Sequence, residues 1–286
     1  MARLGAHACL WAPEWTRESA APMARAAAEA GLEVIEIPLL RPEELDVAHT
    51  LAVGREYGIG FTCSLGLPAG ASLPAHPEAA ERFLSTALEV TARLGSWCLT
   101  GVTYGTIGGT SGSPPTEAEY DVLAGVLGRV ARRAAELGLC FGLEPVNRYE
   151  THLLNTAEQT ARLIERIGEP NLFIHLDSYH MNIEEKGFRE PIRRFARHIR
   201  YVHLSESDRG VPGTGNVHWD DLFAALAAIG FDGDLVLESF VHLHPDIASA
   251  LSVWRPVASG SEEVAEKGLA FLRDQARRAG IGLGAS

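Results

Sequence analysis

The chain has 286 residues, 46% of them hydrophobic and 22% charged, and its 37 Asp and Glu outweigh 25 Lys and Arg for a net charge of −12. That length is ordinary for one α/β barrel, and the composition is that of a globular protein. The acidic balance argues against a nucleic-acid backbone or an anionic membrane as partner, and no apolar run approaches the ~18 residues of a membrane span.

The first stretch, MARLGAHACLW, carries one arginine and no long apolar core ahead of a small-residue cleavage site, so it makes a poor signal peptide. It also begins a pattern that repeats along the chain. A charged helical stretch ends in glycine, and an apolar run follows at once: RAAAEAG before LEVIEIPL, AVGREYG before IGFTCSLG, EVTARLG before SWCLTGV, RRAAELG before LCFGLEP, RLIERIG shortly before NLFIHLD. Gly31, Gly58, Gly95, Gly138 and Gly168 fit the left-handed residue that closes a helix. The apolar runs are too continuous for strands exposed on one face and read as parallel strands buried on both.

Strands are predicted near residues 4–11, 32–39, 59–66, 96–104, 139–145, 171–177, 201–206 and 234–240, with helices between and after them. The third helix shows the pattern: Ala80, Phe83, Leu84, Ala87 and Leu88 form an apolar stripe, with Glu81, Arg82 and Glu89 off it. Asn155, with Glu158 three residues on, predicts the start of the helix after strand 5. The last helix is SEEVAEKGLAFLRDQARRAG. Eight alternations predict a single (β/α)8 TIM barrel occupying residues 1–286, with no second domain. A doubly wound sheet is the alternative, but no GxGxxG follows strand 1. The Gly- and Ser-rich segment at 105–115 reads as a lid rather than a domain boundary. Cys9, Cys63, Cys98 and Cys140 show no CxxC spacing and each falls in a predicted strand, so they are expected to be small buried hydrophobes in a reducing cytoplasm.

In such a barrel, function sits at the C-terminal ends of the strands. Strand 5 ends on Glu144 and strand 6 on Asp177, while strand 7 carries His203 and strand 8 carries Glu238. Successive members are one βα unit apart, so they meet at one rim. Acids that close repel unless something positive sits among them. Three carboxylates and an imidazole suit a six-coordinate cation, Mn²⁺, Mg²⁺ or Co²⁺ before Zn²⁺. Polar groups nearby are candidates to hold a substrate: Arg148 and Glu150 after Glu144, His180 after Asp177, Glu206 and Arg209 after His203. The glycine-rich loop RGVPGTGN after strand 7 is read as a tight turn, with a phosphate site as the alternative. Trp11 and Trp15 are candidates for an apolar wall of the pocket, with core filling as the alternative. His175 is expected to be a satisfied core histidine, and His242 and His244 to pack a loop.

The segments GLEPVNRYETHLLNTAEQ, FIHLDSYHMNIEE, VHLSESDRGVPGTGNVHWDDLFAALAAIGFDG and LVLESF resemble those of the ketose 3-epimerases, the D-tagatose, D-allulose (D-psicose) and L-ribulose 3-epimerases of the xylose-isomerase-like barrels. The resemblance spans nearly the whole chain. It implies a Mn²⁺ or Co²⁺ site made by Glu144, Asp177, His203 and Glu238, with Glu144 and Glu238 also the acid/base pair. It implies that Glu150, His180 and Arg209 hold the O1–O3 end of a free ketose, and that the protein is a homodimer or homotetramer. His7 stands where a D-tagatose 3-epimerase has an aromatic residue, and GVTYGTIGGTSGSPP lacks that enzyme's aromatic-rich loop. Both would sit near the distal end of the sugar.

The rival readings share the barrel. A 1,2-isomerase resembling hydroxypyruvate isomerase would move a proton between C1 and C2. A lyase resembling inosose dehydratase would expel water from the same enediolate. A hydrolase of the endonuclease IV kind needs more histidines and a basic groove, which the net charge of −12 opposes. A non-catalytic binding protein would leave the glutamate pair unexplained.

Overall fold

The computed structural model describes residues 1–242, 249 and 251–284. Its strands are β1 (Arg3–His7), β2 (Val34–Pro38), β3 (Gly60–Gly66), β4 (Cys98–Val102), β5 (Cys140–Leu143), β6 (Leu172–Asp177), β7 (Ile199–Leu204) and β8 (Asp234–Leu237). They close in chain order into a barrel, every neighbour parallel, with β8 pairing back onto β1. Between them run α1 (Ala20–Glu29), α2 (Val47–Tyr57), α3 (Pro77–Arg93), α4 (Glu117–Glu136) and α5 (Ala157–Ile167). Then come α6 (Ser178–Glu184), α7 (Arg189–Arg194), α8 (Trp219–Ala228) and α9 (Leu269–Ala279). The predicted (β/α)8 barrel is the observed fold. No helix among the described residues is long and apolar enough to cross a membrane.

The differences lie at element ends. β1 stops at His7, because the imidazole Nδ1 accepts the Cys9 N–H and turns Ala8–Leu10 into a 3-10 helix. Cys9 is therefore not in a strand as expected, though it is buried. β8 stops at Leu237, so Glu238 stands one residue beyond the sheet, as Glu144 does beyond β5. The crossover from β6 to β7 holds two short helices rather than one.

Helix α5 starts one residue later than predicted. Thr156, not Asn155, accepts the Gln159 N–H, and the Gln159 side chain accepts the Thr156 N–H in return. The Asn155 amide instead donates to the Val146 and Thr151 carbonyls at 2.8 and 3.0 Å, tying down the loop that leaves β5. Gly58 and Gly168 close α2 and α5 with φ of 69° and 78°, as their spacing predicted.

Most of the apolar core lies between barrel and helices. On α3 it takes Ala80, Leu84, Ala87, Leu88 and Val90, the predicted stripe except Phe83, which is half-buried at its edge. The N-terminal end of the barrel is plugged by Trp97 stacked on Phe173, 5.3 Å between ring centres, and by Arg3 and the Trp97 indole on Asp234. The opposite end of the interior is polar. Register sets His7 beside Glu36, Glu36 beside Thr62, Ser64 beside Thr100, and Asp177 beside His203. That last pairing depends on a register shift after Ile174, where β7 gains one residue on β6.

The α5 cap gives a stability test away from the rim. Thr156→Ala removes the acceptor for the Gln159 N–H and is expected to lower the unfolding free energy by about 1 kcal/mol, a fall in Tm of roughly 2–4 °C for a chain of this size. Calorimetry that finds no fall would mean the cap contributes nothing here.

Candidate active site

The C-terminal mouth of the barrel opens into a cavity of about 510 Å³. One side is lined by Glu144, Glu150, His180, His203, Arg209 and Glu238. The β2–β4 side is largely apolar, with Pro38, Leu40, Leu65, Leu67, Val102 and Ile107. The structure thus brings together the four strand-end residues named from sequence. His203 Nδ1 lies 3.4 Å from Glu238 Oε1, 3.6 Å from Glu144 Oε1 and 3.7 Å from Asp177 Oδ2. All four side chains are buried.

These atoms fit a metal ion on their own chemistry. His203 Nδ1 is a buried nitrogen with no hydrogen-bond partner, aimed where three carboxylates converge. Asp177, His203 and Glu238 form one group compact enough to hold a cation, and Glu144 joins others with His203 and Asp177. Burial lowers the affinity of His203 for a proton, but Glu36, Glu238, Asp177 and Glu144 outweigh it and raise that affinity well above the ordinary. A cation at Nδ1 would answer the same pull.

Burial raises the pKa of Glu144, and Asp177 and Glu36 add to the rise against the opposing His203. Glu238 is raised further, again by burial first. Asp177 goes the other way: burial is outweighed by His180, Arg209 and His203, which hold it below the usual carboxylate range. Burial pushes Glu150 up to about 7, against the pull of Arg209 and Asn147. Glu150, near 7, can therefore give or take a proton near neutral pH, while Asp177, held low, accepts.

Arg209 is the positive group already among the acids. Its Nη1 donates to Glu238 Oε2 and, at 3.1 Å, to Asp177 Oδ2, and its guanidinium lies 3.9 Å from the Tyr179 ring centre. The backbone at Arg209 has φ 65°, a left-handed conformation that costs a non-glycine residue on the order of 1–3 kcal/mol. It is held there by its N–H on the Glu206 carbonyl and by its own carbonyl, which accepts from Ser239 and Phe240.

His180 has a definite tautomer. Its Nδ1 accepts the Asn147 backbone N–H at 3.0 Å, so in the neutral ring Nε2 carries the proton. Burial holds its pKa down near 3. Nε2 is 3.2 Å from Arg209 Nη2, but two donors cannot bond each other, so the Nε2–H is free to meet an oxygen in the cavity.

Several expectations are corrected. Trp15 does not line this cavity: its indole N–H donates to Thr50 Oγ1 at 3.0 Å, and its ring packs edge-on against Phe61 at 5.4 Å, which is the core-filling alternative. Arg148 turns outward to Glu184. Glu206 is not aimed at the cavity. It accepts from the N–H groups of Ser207, Gly213 and Val217 and from the Trp219 indole, at 2.7–3.2 Å. The loop RGVPGTGN is therefore wrapped around an anion of the chain's own, which favours the turn reading over a phosphate site. His175 is only half satisfied: Nδ1 meets Thr100 Oγ1 at 3.1 Å, and Nε2 has no partner. His242 is exposed, and His244 lies outside the described residues. The segment 105–115 is tied at Gly108 and Gly109 to Glu150 and Thr151, with Thr106 and Ile107 in the cavity wall.

Sequence reasoning missed Glu36. It is fully buried on β2, with His203 Nε2 at 2.7 Å and the Tyr201 hydroxyl at 2.6 Å from its Oε2. The signal was a polar residue at alternate positions of several strands, Glu36 on β2, Thr62 and Ser64 on β3, and Tyr201 and His203 on β7.

Known proteins share this fold. The xylose isomerase-like TIM barrel family matches residues 24–275. A ketose 3-epimerase of Arthrobacter globiformis is 39% identical over 96% of this chain and 96% of its own. An L-ribulose 3-epimerase of Methylomonas sp. is 37% identical over 95% of this chain and 96% of its own. The crystal structure of a D-allulose 3-epimerase from Methylomonas sp. in complex with D-allulose superposes with a TM-score of 0.92 at 36% identity, covering 96% of this chain and 97% of that one. The barrel and its rim thus define a xylose isomerase-like enzyme, and the chain belongs to the ketose 3-epimerases within that class. It is an isomerase, an epimerase of carbohydrates.

The convergence on His203 predicts that the protein gains stability from a divalent cation. After treatment with chelator, Mn²⁺ at about 100 times its Kd is expected to stabilise the fold by about 2.7 kcal/mol, read as a rise in Tm. A Tm unmoved by Mn²⁺, Co²⁺ and Mg²⁺ would contradict a metal site at this rim.

Proposed function

We propose that the protein inverts C3 of a free ketose, of the D-tagatose, D-fructose/D-allulose or L-ribulose type, through an enediolate. The observation that carries this is the placement of Glu144 and Glu238. They come from β5 and β8, with β6 and β7 between, yet both carboxylates reach the same nitrogen of His203 within 3.6 Å. Two acids facing one point from separated strands suit a reaction in which a proton leaves one face of a carbon and returns to the other.

Glu144, Asp177, His203 and Glu238 would hold the cation, Mn²⁺ or Co²⁺ before Mg²⁺. Such a cation supplies Lewis-acid stabilisation of the negative charge that develops when the C3 proton is removed. The chain's own groups do the rest. One of Glu144 and Glu238 takes the C3 proton, and the other returns one from the opposite face. His180 Nε2–H and the Arg209 guanidinium donate to oxygens at the O1–O3 end, and Glu150 accepts from a hydroxyl there. Buried donors of fixed orientation stabilise the developing charge without reorganising.

An unphosphorylated substrate is part of this reading. Arg209 has its Nη1 taken by Glu238 and Asp177, and Arg41, on the β2 side of the cavity, pairs with Glu14 and Glu44. Relatives matching over 95% or more of the chain are named ketose 3-epimerase and L-ribulose 3-epimerase, neither name specifying a phosphate. Product analysis over a panel of ketoses with Mn²⁺ or Co²⁺ is the test, with the phosphate esters alongside. The expected result is C3-epimeric ketoses, with kcat/KM for the free sugars above that for the esters. Aldose or dehydrated products would favour the isomerase or lyase, and an ester preferred by about tenfold would overturn the free-sugar assignment.

Glu144→Gln and Glu238→Gln keep size and an oxygen donor but cannot take a proton. Each is expected to lower kcat by on the order of 10² or more, with metal content measured alongside. Each variant is also expected to exchange the C3 hydrogen of one epimer with D₂O without completing inversion, the two variants favouring opposite epimers. Exchange of the same epimer by both would mean that one residue makes both transfers.

A further inference from the structure

We propose that Glu36 is a positioning residue that fixes the tautomer and the ring orientation of His203, so that Nδ1 faces the cation site; the inference rests on the metal-site reading above. Glu36 lies in the middle of β2, in the apolar run VIEIP, and is fully buried. Its hydrogen bonds cross the barrel interior. β7 is separated from β2 by β8 and β1, yet His203 Nε2 is 2.7 Å and the Tyr201 hydroxyl 2.6 Å from the same carboxylate oxygen. Thr62 Oγ1 lies 2.8 Å from the Tyr201 oxygen. The single Tyr201 proton is directed to the carboxylate, so the Thr62 hydroxyl donates to Tyr201. The chain of donors runs from Thr62 through Tyr201 to Glu36, with His203 arriving from the other side.

This arrangement leaves His203 little choice. A carboxylate only accepts, so Nε2 must carry the proton, and a neutral ring then has its lone pair at Nδ1. That is the nitrogen with no hydrogen-bond partner, surrounded by Glu144, Asp177 and Glu238. Flipping the ring would set a C–H against Glu36 and leave a buried carboxylate short of a donor, which is costly. A carboxylate behind an imidazole also strengthens it as a ligand. The other oxygen, Oε1, has no hydrogen bond and faces His7 Nε2 at 3.7 Å. His7 Nδ1 accepts the Cys9 N–H, so His7 too turns its Nε2–H toward Glu36. A barrel that needed only packing at this position would be served by an apolar residue, as at the neighbouring Ile35 and Ile37.

The experiment measures Mn²⁺ affinity from the EPR signal of the free ion, using chelator-stripped wild type, Glu36→Gln and Glu36→Ala, with Tm taken alongside. Both variants are expected to weaken Mn²⁺ binding by on the order of 10- to 100-fold, Glu36→Ala at least as much as Glu36→Gln. Folded variants that bind Mn²⁺ within about twofold of wild type, with only Tm lowered, would overturn the proposal and make Glu36 a packing residue. Wild type that binds no Mn²⁺ would overturn the metal site itself and this inference with it. Where the variants do not fold, ¹⁵N-histidine NMR of Mg²⁺-loaded wild type decides: a proton on His203 Nε2 is the expected state, and a proton on Nδ1 contradicts it.

Discussion

Glu36, Glu144, Glu150, Asp177 and Glu238 are five carboxyl groups buried at one end of a barrel, and Arg209 is the arginine buried with them. No packing of apolar side chains makes that arrangement tolerable, because uncompensated charge in a low dielectric costs far more than contacts return. Much of the local structure serves the imbalance. Arg209 is held in a left-handed backbone conformation to reach Glu238 and Asp177. Glu206 gathers backbone N–H groups to fix the loop from which Arg209 projects. The register shift in β6 and β7 sets Asp177 beside His203. The remaining imbalance would suit a divalent cation at this rim.

The barrel was legible in the sequence because its pattern is local. Each of α1 to α5 is followed within two residues by a glycine of positive φ, and a strand begins within four residues of it, so most of the order and count follows from spacing alone. Glu144, Asp177, His203 and Glu238 were legible for a related reason: an ionisable residue at the end of an apolar run has no local purpose, and four at successive strand ends share one rim. Element ends were less legible, since single side-chain hydrogen bonds decide them. His7 on Cys9 ends β1, and Thr156 rather than Asn155 starts α5.

Which residues meet across the barrel is not set by local pattern. The polar residues at alternate strand positions, Glu36 in VIEIP among them, mark an inward-facing polar set, but they do not say that Glu36 meets Tyr201 and His203, more than 160 positions away. Trp15 was open to two readings because an aromatic just beyond a strand can fill a pocket or a core, and a hydrogen bond to Thr50 settles which. Arg148 and Glu206 lie within six residues of the strand-end acids and His203, as Glu150 and Arg209 do. Which of such neighbours turns inward depends on loop hydrogen bonds that proximity in sequence does not encode.

The central claim is inversion at C3 by two groups on opposite faces, and the position of solvent hydrogen in the product reads it most directly. Wild-type enzyme converting a ketose in D₂O, followed by NMR over the first turnovers, is predicted to give an epimer carrying one deuterium at C3 and none at C1, because the proton removed and the proton returned travel through different carboxyl groups. Product that retains its original C3 hydrogen, or that carries deuterium at C1 or C2, would contradict it.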